Sequence, residues 1–416
     1  MTSEIIISFC IIVAMIIGFV TEIVPLAVTA FLGCLAFYIT GIIDKATVFS
    51  GFSSDIIFMI AGTMVVGEAM FQTGAAQFIG KKIIKAVGYN ERRMILVLVL
   101  ACGVLSAFTS NSSVMAMFLP LIRSVAAASD GKIKGKHIVM PVGIASMVGG
   151  ACTLVGSTPQ LVAQGLLESS GLRPMAFFEL GITGIPLLIL LAFWFSVIAY
   201  KPLVRSVAYM PDVPEYIQEM KNTGERSEAI NSKMYVCFAI IVLMVIGFLC
   251  ELWTVGVVAS VAAMACIVTG CLSAKTAFSK ISWSAIVIVG STLGVAKGLN
   301  ASGAAGFLAN WLVGVIGTNA SVVVVMLVFG LMVTIMSNLL SHTATISLLV
   351  PIFIPLAQEM HLDPTLFVYA ITCFVMCGYA TPLGVSSYAM TLAEGYSFRD
   401  YQKIGGPFNI VAYLII

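Results

Sequence analysis

Apolar runs too long to be strands fill this 416-residue chain almost from end to end. They lie at about residues 4–21, 26–43, 54–79, 94–128, 138–167 and 177–200, and again at 234–250, 254–272, 283–300, 321–358, 365–394 and from Pro407 onward. In a bilayer every backbone N–H and C=O must be bonded within the protein, and runs of this length meet that condition as α-helices. The predicted fold class is therefore all-α and integral to a membrane. Composition leaves little room for another reading: 60% of the residues are hydrophobic and 10% charged, and the mean hydropathy is +1.08. The net charge of +2 gives no nucleic-acid footprint, because the basic residues sit in short loops rather than on one face. The ten cysteines, among them Cys10, Cys102, Cys152, Cys266 and Cys373, lack metal-ligand spacing and read as small buried hydrophobes. The N-terminal Met-Thr-Ser-Glu has no basic stretch of the kind that precedes a cleaved signal, so 4–21 reads as a retained span. The last run stops at Ile416 and is short for a span.

Two of the runs carry polar residues at their centre: Ser110-Asn111-Ser112 within 94–128, and Ser341-His342-Thr343 within 321–358. The flanks on either side are too short or too interrupted to span alone. Each run is therefore expected to be a re-entrant hairpin that enters and leaves the bilayer on one side. The rest of the chain repeats around them. Gly18, Gly41 and Gly74 are matched 229 residues later by Gly247, Gly270 and Gly303, and Ser106, Ser110 and Pro120 are matched 231 residues later by Ser337, Ser341 and Pro351. Pairing Ser110-Asn111 with Ser337-Asn338 instead breaks the spacing to the following proline, so the register selects Ser341-His342-Thr343.

Residues 1–200 form the first repeat, with hairpin 94–128 and a broken helix at 138–167. Residues 201–233, with Pro202, Pro211, Pro214 and the run KNTGERSEAINSK, read as a linker. Residues 234–416 form the second repeat, with hairpin 321–358 and a broken helix at 365–394. Five transmembrane helices per half is an odd number, which predicts an inverted repeat. Loop charge sets its direction: with the N-terminus outside, 18 of the 21 Lys and Arg residues face the cytoplasm, linker included, and only Lys45, Arg173 and Lys297 lie toward the other side. The hairpin tips then approach one another from opposite faces.

Each half has a second irregularity after its hairpin. Gly149-Gly150 and Gly156-Ser157-Thr158-Pro159-Gln160 break the first helix, and Gly378-Tyr379-Ala380-Thr381-Pro382-Leu383-Gly384 the second. Non-helical backbone at that depth belongs where it lines a cavity. Two breaks and two tips supply helix N-termini, amides and hydroxyls, which together can hold an anion where no Lys or Arg is expected. Their carbonyls can hold a hard cation such as Na⁺. This reads as a coupled anion transporter rather than an enzyme, since no nucleophile with a base, paired carboxylates or metal cluster falls at membrane depth. A channel is the rival from another class, but the polar breaks converge within one chain. An arsenite carrier or proton antiporter would be expected to place Asp or Glu in the breaks. His137 and His361 fall in loops and read as solvated, while Glu68 and Lys297 fall near helix ends and are assigned no role.

The two tips and two breaks resemble those of the divalent anion/sodium symporter family, the di- and tricarboxylate transporters of the ion transporter superfamily. Its two Ser-Asn-Thr motifs are similar to Ser110-Asn111-Ser112 and Ser341-His342-Thr343. Its Gly-Thr-Pro-Pro-Asn and Ala-Thr-Pro-Pro-Asn breaks are similar to Gly156–Gln160 and Ala380–Gly384. The resemblance implies a secondary carrier of succinate, malate or citrate class anions, a homodimer among lipids in a bacterial plasma membrane, working by an elevator motion. It implies Na⁺ as coupling ion and no other cofactor. By motif position, sodium would be held by Ser106, Ser110, Asn111 and Gly156, and at a second site by Ser337, His342 and Ala380. Substrate would meet Asn111, Ser112, Ser157, Thr158, Pro159, His342, Thr343, Thr381 and Pro382. His342 stands where the family has an asparagine, and imidazole is a poor ligand for a hard cation. Sodium-independent exchange, a proton-linked carrier, and sulfate as cargo therefore stay open as alternatives.

Overall fold

The computed structural model describes residues 2–21, 23–74, 88, 90–129, 131–211, 233–250, 253–316, 321–382 and 385–416. Most of the expected linker, with Lys81, Lys82, Lys85 and Gly384, lies outside the described residues. Among the described residues every regular element is helical. The first half runs α1 (Ser3–Thr21), α2 (Leu26–Ile39), α3 (Lys45–Ser50), α4 (Asp55–Gln72), α5 (Glu91–Ser106), α6 (Asn111–Ala128), α7 (Val139–Gly150), α8 (Thr158–Ser169), α9 (Gly181–Phe193) and α10 (Tyr200–Ser206). The second half runs α11 (Lys233–Cys250), α12 (Val255–Val268), α13 (Ala274–Lys280), α14 (Trp283–Ala301), α15 (Ala304–Ile316), α16 (Val322–Leu339), α17 (His342–Glu359), α18 (Pro364–Val375), α19 (Ser386–Ala393) and α20 (Gly406–Ile415). Helix α15 was absent from the expected spans. A π-helical turn, Trp194–Ile198, follows α9, and another, Tyr401–Gly405, precedes α20.

Among the described residues, six helical stretches are long and apolar enough to cross a membrane: Ser3–Thr21, Lys45–Gln72, Gly181–Ile198, Lys233–Cys250, Trp283–Ala301 and Val322–Leu339, the last being a flank of the second expected hairpin that is longer than the sequence reading allowed. Their starts are written in the sequence. The side chains of Ser54, Asn90, Ser321 and Asp363 each accept a bond from the first-turn N–H groups of α4, α5, α16 and α18. Large apolar side chains stay exposed on α1 (Val13, Ile17, Val20), α11 (Val242, Leu243, Leu249) and α16 (Val323, Leu331, Ile335). In water such a surface would aggregate, and against lipid it is the ordinary solvent-facing surface.

The glycines spaced 229 apart have physical causes. Gly41 and Gly270 have φ of 78° and 70°, and the residues after them donate to Phe37 O and Cys266 O, closing α2 and α12 in the same left-handed turn. Gly18 packs on Thr29 as Gly247 packs on Val258, where an added Cβ would lie 2.6 and 2.8 Å from the neighbouring side chain. Packing across the chain is reciprocal as well. Helix α2 lies against α14 and α4 against α12, while α8 lies against α17 and α18, and α19 against α6 and α7. Each half thus buries the second segment of its broken helix in the other half.

At one end of the molecule, charged groups tie these layers down. Glu91, at the start of α5, accepts from the Lys134 backbone N–H at 2.8 Å, lies 3.0 Å from His137 Nδ1 and accepts from the Tyr200 hydroxyl. His137 is therefore buried on a carboxylate rather than solvated, as its loop position suggested. Burial raises the Glu91 pKa, but the bonds from His137, Tyr200 and Lys134 outweigh it and hold the group below its usual 4.5. Arg123 on α6 pairs with Glu394, which caps the C-terminal end of α19.

Candidate functional site

Helices α5 and α6 meet at a tight turn, Ala107 to Ser110, and α16 and α17 at Leu340–Ser341. Ser110 (φ −64°, ψ 138°) and Ser341 (φ −65°, ψ 143°) are both N-caps, each accepting from the N–H three residues on, Ser113 at 3.3 Å and Ala344 at 3.2 Å. A serine followed by a helix turn is what makes the chain reverse there. It also makes Asn111 and His342 the first residues of α6 and α17, at equivalent places.

These two side chains face equivalent glycines. A Cβ on Gly150, the last residue of α7, would lie 2.4 Å from Asn111 Oδ1, and one on Gly378 would lie 2.4 Å from His342 Nε2. Nearby, the Thr153 hydroxyl donates to Ala107 O and the Thr381 hydroxyl to Asn338 O. In both relations the broken-helix residues of the two halves are 228 apart and the hairpin residues 231 apart, so each hairpin tip is fastened to its own broken helix in the same way.

The two tips differ in what surrounds them. The outer amide atom of Asn111 lies 2.8 Å from Ser106 Oγ, 3.0 Å from Ser146 O and 3.2 Å from Gly156 O. The amide can turn its nitrogen toward these oxygens and donate to them. Turned the other way, it completes a convergent set of neutral oxygens, the donor chemistry a hard monovalent or divalent cation takes. Ser110 stands beside this cluster and bonds Ser113 Oγ at 2.7 Å. In the second half, Asn338 does the bracing: its Nδ2 donates to Thr334 O at 2.8 Å and Cys377 O at 3.0 Å, and its Oδ1 accepts from Ala380 N at 3.1 Å. Ser337 Oγ donates to Thr334 O at 3.0 Å. His342 Nε2 is buried with no hydrogen-bond partner among the described residues. Of the residues expected for a second cation, Ser337 turns its hydroxyl onto its own helix, Ala380 gives its N–H to the Asn338 amide, and His342 is an imidazole.

A cavity of about 360 Å³ opens between the tips. On one side it is lined by Thr109 to Ser113, Gly156 to Pro159, His342, Thr343, Met376 and Val385. Of the substrate positions expected from the sequence, it gathers Asn111, Ser112, Ser157, Thr158, Pro159, His342 and Thr343. Three helix N-termini, those of α6, α8 and α17, open onto it with their first-turn N–H groups. Thr381 and Pro382 are not among the lining residues, because the Thr381 hydroxyl is turned onto the hairpin backbone. Gln160, the last residue of the first break motif, is not among the lining residues either. It is buried, donates to Gly150 O at 2.9 Å and accepts from Ser157 Oγ, holding the first break open.

The opposite wall comes from α4 (Met64, Gly67, Glu68, Phe71), from Lys280 at the end of α13 and from Ser282 just before α14. Sequence reasoning missed this wall. A cavity free of basic residues was expected, yet Lys280 lines it, and Glu68, assigned no role, lies 4.0 Å from the lysine. Ser146 and Asn338 were missed too, since their backbone and amide bonds come from elements about 40 residues away along the chain.

The family model described as citrate transporter matches residues 16–374. The sodium-dependent dicarboxylate transporter SdcS of Staphylococcus saprophyticus is 23% identical over 427 residues, covering 95% of this chain and 82% of that protein. SdcS of Staphylococcus aureus is 23% identical over 426 residues with the same coverage. Among solved structures, the Neisseria gonorrhoeae efflux pump MtrF superposes with a TM-score of 0.66 at 11% identity, covering 100% of this chain and 94% of the other. The Alcanivorax borkumensis transporter YdaH superposes with a TM-score of 0.56 at 13% identity, covering 89% and 85%. At such identities the two structures speak for the fold alone.

Proposed function

The chain belongs to the citrate transporter family, and on that premise we propose that it is a secondary carrier of di- and tricarboxylate anions, coupled to sodium. It is a membrane transporter and not an enzyme. The observation that carries the reading is the single cavity in which both hairpin tips and the first broken helix present N–H groups and hydroxyls. Each helix N-terminus carries about half a positive charge, so three of them offset most of a dicarboxylate's charge without an arginine clamp, and a bound sodium ion offsets the rest. Carboxylates approach Asn111, Ser112, Ser157, Thr158 and Thr343, with Pro159 shaping the floor and His342 beside them. Sodium is taken at the oxygens of Asn111, Ser146, Gly156 and Ser106, with Ser110 completing the turn. This matches what the SdcS relatives are named for.

The carrier works by displacement of the hairpins and broken helices, with their shared packing, against α2, α4, α12 and α14. The cavity between these two groups of helices supports such a motion. The N-terminus lies outside, residues 201–233 lie in the cytoplasm, and the bacterial plasma membrane, in which the protein is dimeric, is its site. The second tip favours a lower sodium stoichiometry, because His342 and the engaged Asn338 amide stand where Ser337, Ala380 and a second ion would meet.

Uptake of labelled succinate into proteoliposomes tests both levels. An inward sodium gradient is expected to drive saturable uptake that citrate and malate inhibit. His342→Asn is expected to steepen the dependence on sodium concentration. Uptake that neither saturates nor responds to any carboxylate would overturn the carrier reading, and equal rates in sodium and choline would overturn the coupling.

A further inference from the structure

The wall of the cavity facing the hairpin tips holds two charged residues among the described residues that line it, Glu68 on α4 and Lys280 at the end of α13. Their placement is unequal. The Glu68 side chain is 13% exposed and is held against its own helix by Gln72 Nε2, which donates to Oε1 at 2.8 Å, while the Lys280 side chain is 55% exposed, its Nζ 4.0 Å from the same oxygen. A carboxylate lining a cavity built to take anions repels them unless a cation stands by it, and within this wall Lys280 is that cation. The lysine therefore has two possible partners, the fixed carboxylate and any carboxylate of the cargo that reaches this wall.

We propose that the Glu68–Lys280 pair determines specificity by charge: Glu68 retains Lys280, keeps this wall electrically neutral and so favours dianionic over trianionic cargo. The inference rests on the carboxylate reading above. Helix N-termini and hydroxyls on the opposite wall serve the two carboxylates common to both classes of acid. The third carboxylate of a tricarboxylate must lie toward α4, where it meets Glu68 and competes with it for one ammonium group. Removing the Glu68 charge while keeping its shape frees Lys280 for that third group. Removing the Lys280 charge leaves Glu68 uncompensated in the wall, which disfavours every anion and the most highly charged one most.

Tricarballylate is succinate bearing one carboxymethyl group, so the two acids differ by one carboxylate and one methylene. The test is their uptake into proteoliposomes at one alkaline pH at which both are fully ionised, with sodium saturating. Glu68→Gln is expected to raise the tricarballylate-to-succinate ratio of kcat/KM by at least about fivefold, the scale of one solvent-screened charge pair. Lys280→Gln is expected to lower the ratio. The double variant, whose wall is again neutral, is expected to bring the ratio back toward that of the unaltered protein, a rescue that a merely structural role would not produce. Melting curves identify any single variant that misfolds, and the other single and the double then carry the test. Ratios within twofold of the unaltered protein in the folded variants would overturn the proposal. If the unaltered protein takes up neither acid, the carrier reading itself fails, a different result from uptake with unmoved ratios.

Discussion

Gly150→Ala is the smallest perturbation that reaches the centre of the first hairpin site. The new methyl would stand 2.4 Å from Asn111 Oδ1, 3.1 Å from Asn111 Cγ and 3.1 Å from Gly156 O. Carbon contacts are comfortable only beyond about 3.5 Å, so the amide must retreat by about 1 Å. Its contacts with Ser106 Oγ, Ser146 O and Gly156 O, at 2.8, 3.0 and 3.2 Å, would then exceed hydrogen-bonding length. Three such bonds at about 1 kcal/mol each, with about 1 kcal/mol of overpacking, make a loss of about 4 kcal/mol. The purified protein in detergent is melted in sodium chloride and in choline chloride. A bound ion raises Tm by an amount that grows with the logarithm of its concentration over its Kd. The unaltered protein is expected to melt higher in sodium, and Gly150→Ala to melt several degrees lower and alike in both salts. Gly306→Ala, on α15, is the control: its Cβ meets nothing within 4 Å, and alanine favours a helix by up to about 1 kcal/mol. A Gly150→Ala protein that melts normally and still responds to sodium would refute the reasoning from Asn111.

Two further outcomes follow from the same geometry. Glu91 has a folded-state pKa below its usual 4.5, so its clamp stabilises the protein above that pH and fades as pH falls through the lowered value. Glu91→Gln should therefore lower Tm at neutral pH and flatten its decline in acid, read by melting curves across that range. Thr381→Val removes a hydroxyl bond to Asn338 O and should cost about 1 kcal/mol of stability while moving the succinate KM less than Ser157→Ala does, measured by uptake kinetics.

Much of this architecture was legible because it is written in residues whose physics is local. Serine caps a helix, so Ser110 and Ser341 announced where each hairpin turns; glycine admits a left-handed turn, so the 229-residue spacing of Gly41 and Gly270 marked equivalent helix ends. Proline and glycine together opened the breaks between α7 and α8 and between α18 and α19. What stayed hidden depends on pairings that local pattern does not encode. Glu68 and Lys280 lie 212 residues apart in the sequence, and one looked like an ordinary helix-end charge, the other like one of the cytoplasmic loop charges. Thr381 sits in a motif that suggests ligand contact, and only the course of the hairpin beside it shows that its hydroxyl is already taken. His137 looked solvated until Glu91 came from another element to meet it.

The reciprocal packing of α8 on α17 and α18, and of α19 on α6 and α7, has a consequence for biogenesis. When the first half has left the ribosome, the second segment of its broken helix has α4 beside it but lacks α17 and α18, which are complete only after more than 150 further residues have been made. Contacts of such long sequence separation form late and slowly. Newly made chains must therefore pass through a half-assembled stage in the bilayer, and during that interval quality-control proteases have their best access to the protein.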